Sequence, residues 1–148
     1  MKQLLLAFAI VLAAPAAMAD VWVNPGFYSH HFDKSKDLNN NNQGFGVEAS
    51  ITDTYSLTAG VFENSNRETS HYIGAYVMPF QRGAFKAGAA VGAFDGYPNM
   101  RDGGWFAAAI PTVAIEGPRL GLNVMYTPKI GDKVNNALSF QVKFNIAP

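Results

Sequence analysis

The feature that most constrains this chain is a two-residue alternation of apolar side chains with polar or small ones. Successive side chains of a β-strand point to opposite faces, so this period predicts strands whose two faces differ. The 3.6-residue period of an amphipathic helix is almost absent. The last segment shows the alternation best, with Leu138, Phe140, Val142, Phe144 and Ile146 set against Ser139, Gln141, Lys143 and Asn145.

Eight segments carry this pattern, some of them with small or aromatic residues on the second face. They are residues 27–32, 43–51, 55–62, 71–77, 85–93, 106–115, 120–126 and 138–146. Tight turns alternate strictly with longer polar loops, the turns at 52–54, 80–83 and 116–119 and the loops at 33–42, 63–70, 95–104 and 129–136. An up-and-down barrel has this succession, with short turns at one rim and long loops at the other. The sequence therefore predicts an all-β fold, an eight-stranded antiparallel up-and-down transmembrane β-barrel.

The charge balance and the cysteine count exclude several classes of protein. Eleven basic residues match eleven acidic ones, which leaves no excess positive charge to neutralise nucleic-acid phosphates. The absence of cysteine excludes a disulfide framework and a thiolate zinc site. Charged residues make up only 15% of the chain, and a small soluble protein needs more than this on its surface. The predicted outer surface therefore faces lipid.

A secreted β-sandwich or a lipocalin-like soluble barrel is the structural alternative. Such folds also alternate, but they turn the apolar face inward and need a charged exterior. Here the alternation often sets apolar residues against glycine, serine or alanine, which favours a narrow lumen filled by small groups. Aromatic residues at strand ends are predicted to form girdles at the membrane interfaces, namely Trp22, Tyr55, Trp105 and Tyr126.

The beginning of the chain has the pattern of a secretory signal peptide. A basic residue, Lys2, precedes the apolar run of residues 4–14, and Ala17-Met18-Ala19 is a small-x-small cleavage site. An uncleaved membrane anchor is the alternative, but the apolar run is shorter than the ~20 residues that a spanning helix needs. We expect a signal peptide at 1–19, one barrel domain at 20–148, and localisation in the outer membrane of a Gram-negative bacterium.

Ionisable and hydroxyl residues gather where strands meet the long loops. Ser29-His30-His31-Phe32-Asp33 ends the first strand, and Glu63 to Arg67 follows the third. A histidine near a serine is the minimal apparatus of acyl transfer, because the imidazole can take the hydroxyl proton and later return it to a leaving alcohol. His30 and His31 must point to opposite faces of the strand, so only one reaches the barrel mouth. Ordinary polar loops at a solvated rim are the alternative interpretation.

Other polar residues suggest no further chemistry. No His-x-His or Glu-x-x-His spacing accompanies the three histidines, so we expect neither a metal nor a cofactor. Four consecutive asparagines, Asn39 to Asn42, are interpreted as turn-forming residues in a polar loop.

Spacing and scattered residues between Pro25 and Ile146 resemble the lipid A palmitoyltransferases of Gram-negative outer membranes (PagP). In that family a proline precedes the catalytic histidine by five positions, as Pro25 precedes His30. The Gly-Phe-Gly of the family's second strand is matched by residues 44–46. Its aspartate-serine pair, after phenylalanine and one further residue, corresponds to Asn64 and Ser65. Its prolines in the sixth strand and in a Tyr-x-Pro of the seventh are similar to Pro111 and to Pro128 of Tyr126-Thr127-Pro128.

The resemblance implies an enzyme that moves an acyl chain from a phospholipid to lipid A. It places His30 as general base and acid and Ser65 as the hydroxyl at the reacting centre. Asn64 stands where the family has an aspartate, and we expect Asn64 with Asp33 to be the orienting or oxyanion-side groups. Proline cannot donate to a strand ladder, so Pro111 and Pro128 are expected to leave their seam incompletely bonded. The family admits lipid sideways through such gaps, and Pro25, Pro111 and Pro128 are the residues that correspond to them here.

Two functions of different classes follow. The first is an outer-leaflet acyltransferase, with membrane lipids as its partners and a monomeric state. The second is a non-catalytic small barrel with a structural, ligand-binding or surface-interaction role. A lipid A deacylase is less favoured, because the last strands lack the His-x-Ser of that family.

Overall fold

The computed structural model of this protein describes residues 20–131 and 133–147. The predicted signal peptide lies outside these residues. Eight antiparallel strands pair in chain order, and the last closes on the first to complete a barrel. The strands are β1 (Val21–His31), β2 (Asn41–Ser50), β3 (Tyr55–Glu63), β4 (Thr69–Arg82), β5 (Phe85–Phe94), β6 (Phe106–Glu116), β7 (Leu120–Thr127) and β8 (Ala137–Ala147).

The predicted fold class is confirmed, and each predicted segment overlaps one of the eight strands. Two boundaries differ most from the prediction. β1 begins at Val21, earlier than predicted, because residues 21–23 pair with both β2 and β8. β4 continues to Arg82 through the stretch predicted as a turn, since Phe80, Gln81 and Arg82 pair with β5. The chain reverses at Gly83 instead, whose φ of 61° suits a tight turn.

The outer surface is the apolar face of every strand. Large apolar side chains point outward around the barrel, among them Leu57, Ile73, Val91, Val142 and Ile146. The predicted facing of the last strand is confirmed, because Phe140 is 37% exposed and its neighbour Gln141 is 4% exposed. A soluble barrel would show the reverse arrangement, whereas a lipid-facing exterior requires this one. Within residues 20–131 and 133–147, no helix is long and apolar enough to cross a membrane.

The half of the lumen near the short turns is filled by a charged network, and the prediction of small groups there is wrong. The Lys143 ammonium lies 3.0 Å from a Glu48 oxygen and 2.6 Å from a Glu116 oxygen, and Glu116 also pairs with Lys86 at 3.0 Å. These charges come from β2, β5, β6 and β8, so their contacts cross the barrel. Each is compensated by an opposite charge, as burial in a narrow interior requires.

One of the four predicted girdle aromatics is misplaced. Trp22 is only 2% exposed and lies inside the lumen, where its ring centroid is 4.8 Å from the Lys143 ammonium. Tyr55, Trp105 and Tyr126 are exposed, as a girdle requires. Trp22 differs because its position on β1 shares the inward face with Asn24, and the cation supplies a partner for its ring.

Candidate functional site

The inward face of β1 changes parity along the strand. In its first part Trp22 and Asn24 are buried, whereas beyond Gly26 the buried polar residues are Ser29 and His31. The register against β2 shifts between Asn24 and Gly26, where Gly26 takes a φ of 96°. Such an irregularity reverses which side chains face the lumen.

The prediction that His30 is the catalytic histidine is therefore wrong, because its side chain does not face the lumen. His30 is exposed on the outer face, where its ring stacks edge-on against Phe32 at 5.4 Å. His31 is 4% exposed and points into the barrel mouth. The prediction that only one of the two can reach the mouth is confirmed, but the structure assigns that place to His31.

Each ring nitrogen of His31 is hydrogen-bonded to one side chain, a serine at one and an asparagine at the other. Its Nε2 lies 2.9 Å from Ser65 Oγ, and its Nδ1 lies 2.7 Å from Asn40 Oδ1. A carbonyl oxygen can only accept a hydrogen bond, so Nδ1 carries the ring proton and Nε2 presents its lone pair to the serine hydroxyl. This is the tautomer that a general base needs, with the base oriented by a third group.

Two loops hold this chain of residues in place. The backbone N–H of Asn39 donates to Ser65 O at 2.9 Å, which joins the loop after β1 to the loop after β3. The backbone N–H of Ser29 donates to Asn40 O at 2.8 Å. Asn42 donates from its side chain to Glu63 O at 2.8 Å. Asn39 is turn-forming as interpreted, because its Oδ1 accepts from the backbone N–H of Asn41, whereas the side chains of Asn40 and Asn42 bond to His31 and Glu63 and tie the site together.

Asn64 does not orient the imidazole. Its amide nitrogen donates to Ser70 Oγ and to Gly96 O, each at 2.8 Å, and its oxygen accepts from the backbone of Asn66 and Glu68. The side chain is fully buried. Asn64 therefore fixes the Ser65 loop against the loop that follows β5, and Asn40 occupies the orienting position beside His31.

Asp33 is likewise outside the site. Its carboxylate accepts from the Ser35 hydroxyl at 2.6 Å and the Ser35 backbone N–H at 3.0 Å. These hydrogen bonds lower the pKa of Asp33, which is the ordinary behaviour of a carboxylate that closes a surface turn. The residue lies beyond the end of β1, where the chain has left the barrel wall.

A cavity of about 360 Å³ occupies the half of the lumen near the long loops, with His31 and Ser65 in its wall. This volume lies within the range of small-molecule sites. Most of the remaining wall is apolar or aromatic, including Phe94, Phe106, Ala108 and Ile110 from β5 and β6. Tyr76 and Gln141 lie at the bottom, where the charged network begins. The cavity thus combines a nucleophile-and-base pair with an interior suited to a hydrocarbon chain.

The wall beside this cavity is incompletely paired. The ladder between β6 and β7 runs from Glu116–Gly121 to Thr112–Met125 and stops beside Pro111. Residues 106–111 of β6 pair with β5 alone, over about 20 Å at the usual rise of a strand. Ile110 and Met125, on the two sides of this seam, both line the cavity. An unpaired strand edge thus separates the cavity from the lipid side.

The three prolines occupy different surroundings. Pro111 is exposed on β6 at the point where the ladder ends. β7 ends at Thr127, so Pro128 follows the strand and lines the cavity mouth. Pro25 is exposed at the irregularity of β1, and residues 24–27 have no partner in β8. Lateral lipid access at these places stays a prediction.

The arrangement of His31 and Ser65 is suited to proton transfer from the serine hydroxyl. His31 Nε2 can accept the Ser65 proton and return it to a leaving group in the same cavity. Among residues 20–131 and 133–147, no group of three or more His, Asp or Glu side chains could hold a metal ion.

Comparison with known proteins supports the fold. No family model matches the chain, and no curated protein matches it either. Among solved structures, the de novo designed TMB2.3, determined by solution NMR, is similar with a TM-score of 0.63 and 15% identity. That similarity covers 91% of this chain and 100% of the designed one. At this identity the likeness concerns the architecture alone.

Proposed function

We propose that this protein is an outer-membrane acyltransferase that moves a fatty acyl chain from a phospholipid to lipid A. The observation that carries the proposal is the hydrogen-bonded chain Ser65–His31–Asn40 in the wall of an apolar cavity inside the barrel. A base oriented by a third group activates a hydroxyl, and an enclosed apolar space accommodates a hydrocarbon chain. The proposal includes export by the signal peptide at residues 1–19.

The reaction has two steps that reuse one proton. Ser65 Oγ attacks the carbonyl carbon of the phospholipid ester while His31 Nε2 takes the hydroxyl proton. The bond between that carbon and the glycerol oxygen breaks, and His31 returns the proton to this oxygen as the lysophospholipid leaves. In the second step a lipid A hydroxyl loses its proton to His31, attacks the acyl-serine carbonyl and releases Ser65, which regains the proton. No other reactant is consumed.

The open seam gives the donor a route to the site. A phospholipid in the surrounding leaflet has its chains beside β6, where residues 106–111 lack a partner strand on the β7 side. One chain passing between β6 and β7 enters the cavity directly, because residues on both edges of the seam line it. The headgroup stays at the rim, near the long loops. This route requires no passage through the charged lower lumen.

Adjacent histidines provide the matched test. We expect His31→Ala to reduce acyl transfer about 10²- to 10⁴-fold, the usual contribution of a general base. His30→Ala should retain most of the activity, since His30 faces outward. Activity is measured with purified protein and labelled phospholipid, and by mass spectrometry of lipid A from cells with and without the gene. Heat-modifiable migration in gels confirms that each variant is a folded barrel.

A non-catalytic barrel that binds a hydrophobic ligand is the second candidate, and the apolar cavity is the observation that favours it. If the folded wild-type protein transfers no acyl chain in either assay, the enzyme proposal fails. Binding of a fluorescent fatty acid that survives in Ser65→Ala would then support the ligand-binding barrel. Loss of transfer in His30→Ala but not in His31→Ala would contradict the site.

A further inference from the structure

The loop between β5 and β6, residues 95–105, forms part of the cavity wall, although several of its other residues are exposed. Two of its side chains, Tyr97 and Met100, line the same cavity as His31 and Ser65. The Tyr97 ring packs edge-on against Phe106, with the ring centroids 5.8 Å apart. This contact holds the phenol in one orientation.

The loop is fastened directly to the segment that carries Ser65. Asn64 donates to Gly96 O at 2.8 Å, so the residue before the serine is bonded to the residue before the tyrosine. Thr69 also lies against the loop, because a Cβ at Gly96 would overlap its carbonyl oxygen. Tyr97 and Ser65 therefore enter the cavity from two segments that are held together at their bases.

The backbone of this loop is strained, and its hydrogen bonds centre on Tyr97. Arg101 and Asp102, which are not glycine, have φ values of 49° and 52°. The Tyr97 carbonyl accepts from the backbone N–H groups of Met100 and Gly103, at 3.0 and 3.1 Å. Left-handed conformations of such residues persist where surrounding structure enforces them, and they are concentrated at functional sites. The left-handed residues and the bonds to the Tyr97 carbonyl thus lie in the same turn of the loop.

The hydroxyl of this tyrosine is available to a ligand. Among the residues that the structure describes, Tyr97 makes no side-chain hydrogen bond, although its ring is packed against Phe106. Burial raises the pKa of Tyr97, so the phenol keeps its proton and remains a donor well into the alkaline range. Tyr97 is partly buried and its hydroxyl is open to the cavity, so a ligand oxygen in the cavity can accept its hydrogen bond.

We propose that Tyr97 donates a hydrogen bond to the carbonyl oxygen of the acyl ester as that oxygen gains negative charge, a role that rests on the acyl transfer proposed above. When Ser65 attacks, the carbonyl π electrons move to this oxygen, and a donor in a mostly apolar cavity stabilises the resulting anion. The electrons return when the ester bond breaks. Tyr97 keeps its proton throughout, so the balance of the reaction is unchanged.

Tyr97→Phe is the sharpest test, because it removes the hydroxyl and keeps the ring that packs on Phe106. We expect kcat to fall about 10²-fold with little change in KM, which is typical of losing one donor to the anionic oxygen. Tyr126→Phe is the matched control, since it removes a phenol from the outer surface. Labelling of Ser65 by a fluorophosphonate should slow in Tyr97→Phe as well, since the probe's phosphoryl oxygen needs the same donor.

The outcomes separate the two proposals. Slow transfer and slow labelling in a heat-modifiable Tyr97→Phe barrel, with a normal Tyr126→Phe barrel, support the donor role. Wild-type rates in Tyr97→Phe overturn that role and leave the acyltransferase standing. A rise in KM at constant kcat also overturns it, because the hydroxyl would then serve ground-state binding. A wild-type barrel that shows neither transfer nor labelling overturns both proposals.

Discussion

Removing the cation at the bottom of the lumen should strongly destabilise the barrel. Lys143 is 1% exposed, and its ammonium contacts both Glu48 and Glu116. In Lys143→Met, Glu116 keeps its ion pair with Lys86 at 3.0 Å. Glu48 keeps only an amide of Asn123 at 3.5 Å, which is a weak contact. The substitution therefore leaves one buried carboxylate without compensation.

Breaking a buried ion pair on one side typically costs about 3 to 5 kcal/mol. We expect a loss of this size in the free energy of unfolding of Lys143→Met, measured with denaturant in phospholipid vesicles through tryptophan fluorescence. The double variant with Glu48→Gln removes both charges and should recover most of the loss. Lys129→Met, at an exposed position, should change stability by no more than about 0.5 kcal/mol.

Two results would refute this reasoning. The first is a stability of Lys143→Met within about 1 kcal/mol of the wild type, below the cost of a stranded buried charge. The second is a double variant no more stable than the single one, which would show that the two charges are not coupled. Either result would mean that water reaches the lower lumen and solvates Glu48. The lower lumen would then be a hydrated channel instead of a packed bottom to the cavity.

Three further predictions concern the wall, the loops and the irregular strand. Phe140→Arg should lower the stability of the inserted barrel by about 2 to 4 kcal/mol, whereas Ile130→Arg in a loop should cost less than about 1 kcal/mol. Equal costs, measured by unfolding in vesicles, would mean that no lipid contacts the last strand. Asn64→Asp introduces the residue that the palmitoyltransferases have, but it should lower both stability and acyl transfer. A carboxylate cannot donate to the Ser70 and Gly96 oxygens that the amide now bonds. A faster enzyme would refute the role of Asn64 in fixing the Ser65 loop. Gly26→Ala should destabilise the barrel by more than Gly83→Ala. A Cβ at Gly26 would overlap a backbone carbonyl oxygen, whereas a Cβ at Gly83 would meet no other atom. Equal melting temperatures of the two variants would show that the strand irregularity is not needed.

The sequence by itself determined the architecture. The alternation in β8 gave the facing of Phe140 and Gln141 correctly, because side-chain direction in a regular strand depends only on sequence parity. The succession of short and long connections determined the up-and-down order of eight strands, since each turn joins neighbours in the sheet. The same local logic placed Ser65 in a long loop at the barrel mouth, whereas its pairing with a histidine of the first strand was implied by the family resemblance.

Only the tertiary structure decided which histidine that is. Parity fails where the register shifts. The irregularity at Gly26 depends on how β1 pairs with β2 on one side and with β8, at the other end of the chain, on the other. The same reason explains why Asn40 was missed, since its contact with His31 joins the end of a strand to a returning loop. Contacts across the lumen, such as Lys143 with Glu48, depend on the stagger of the closed barrel, which no local pattern encodes.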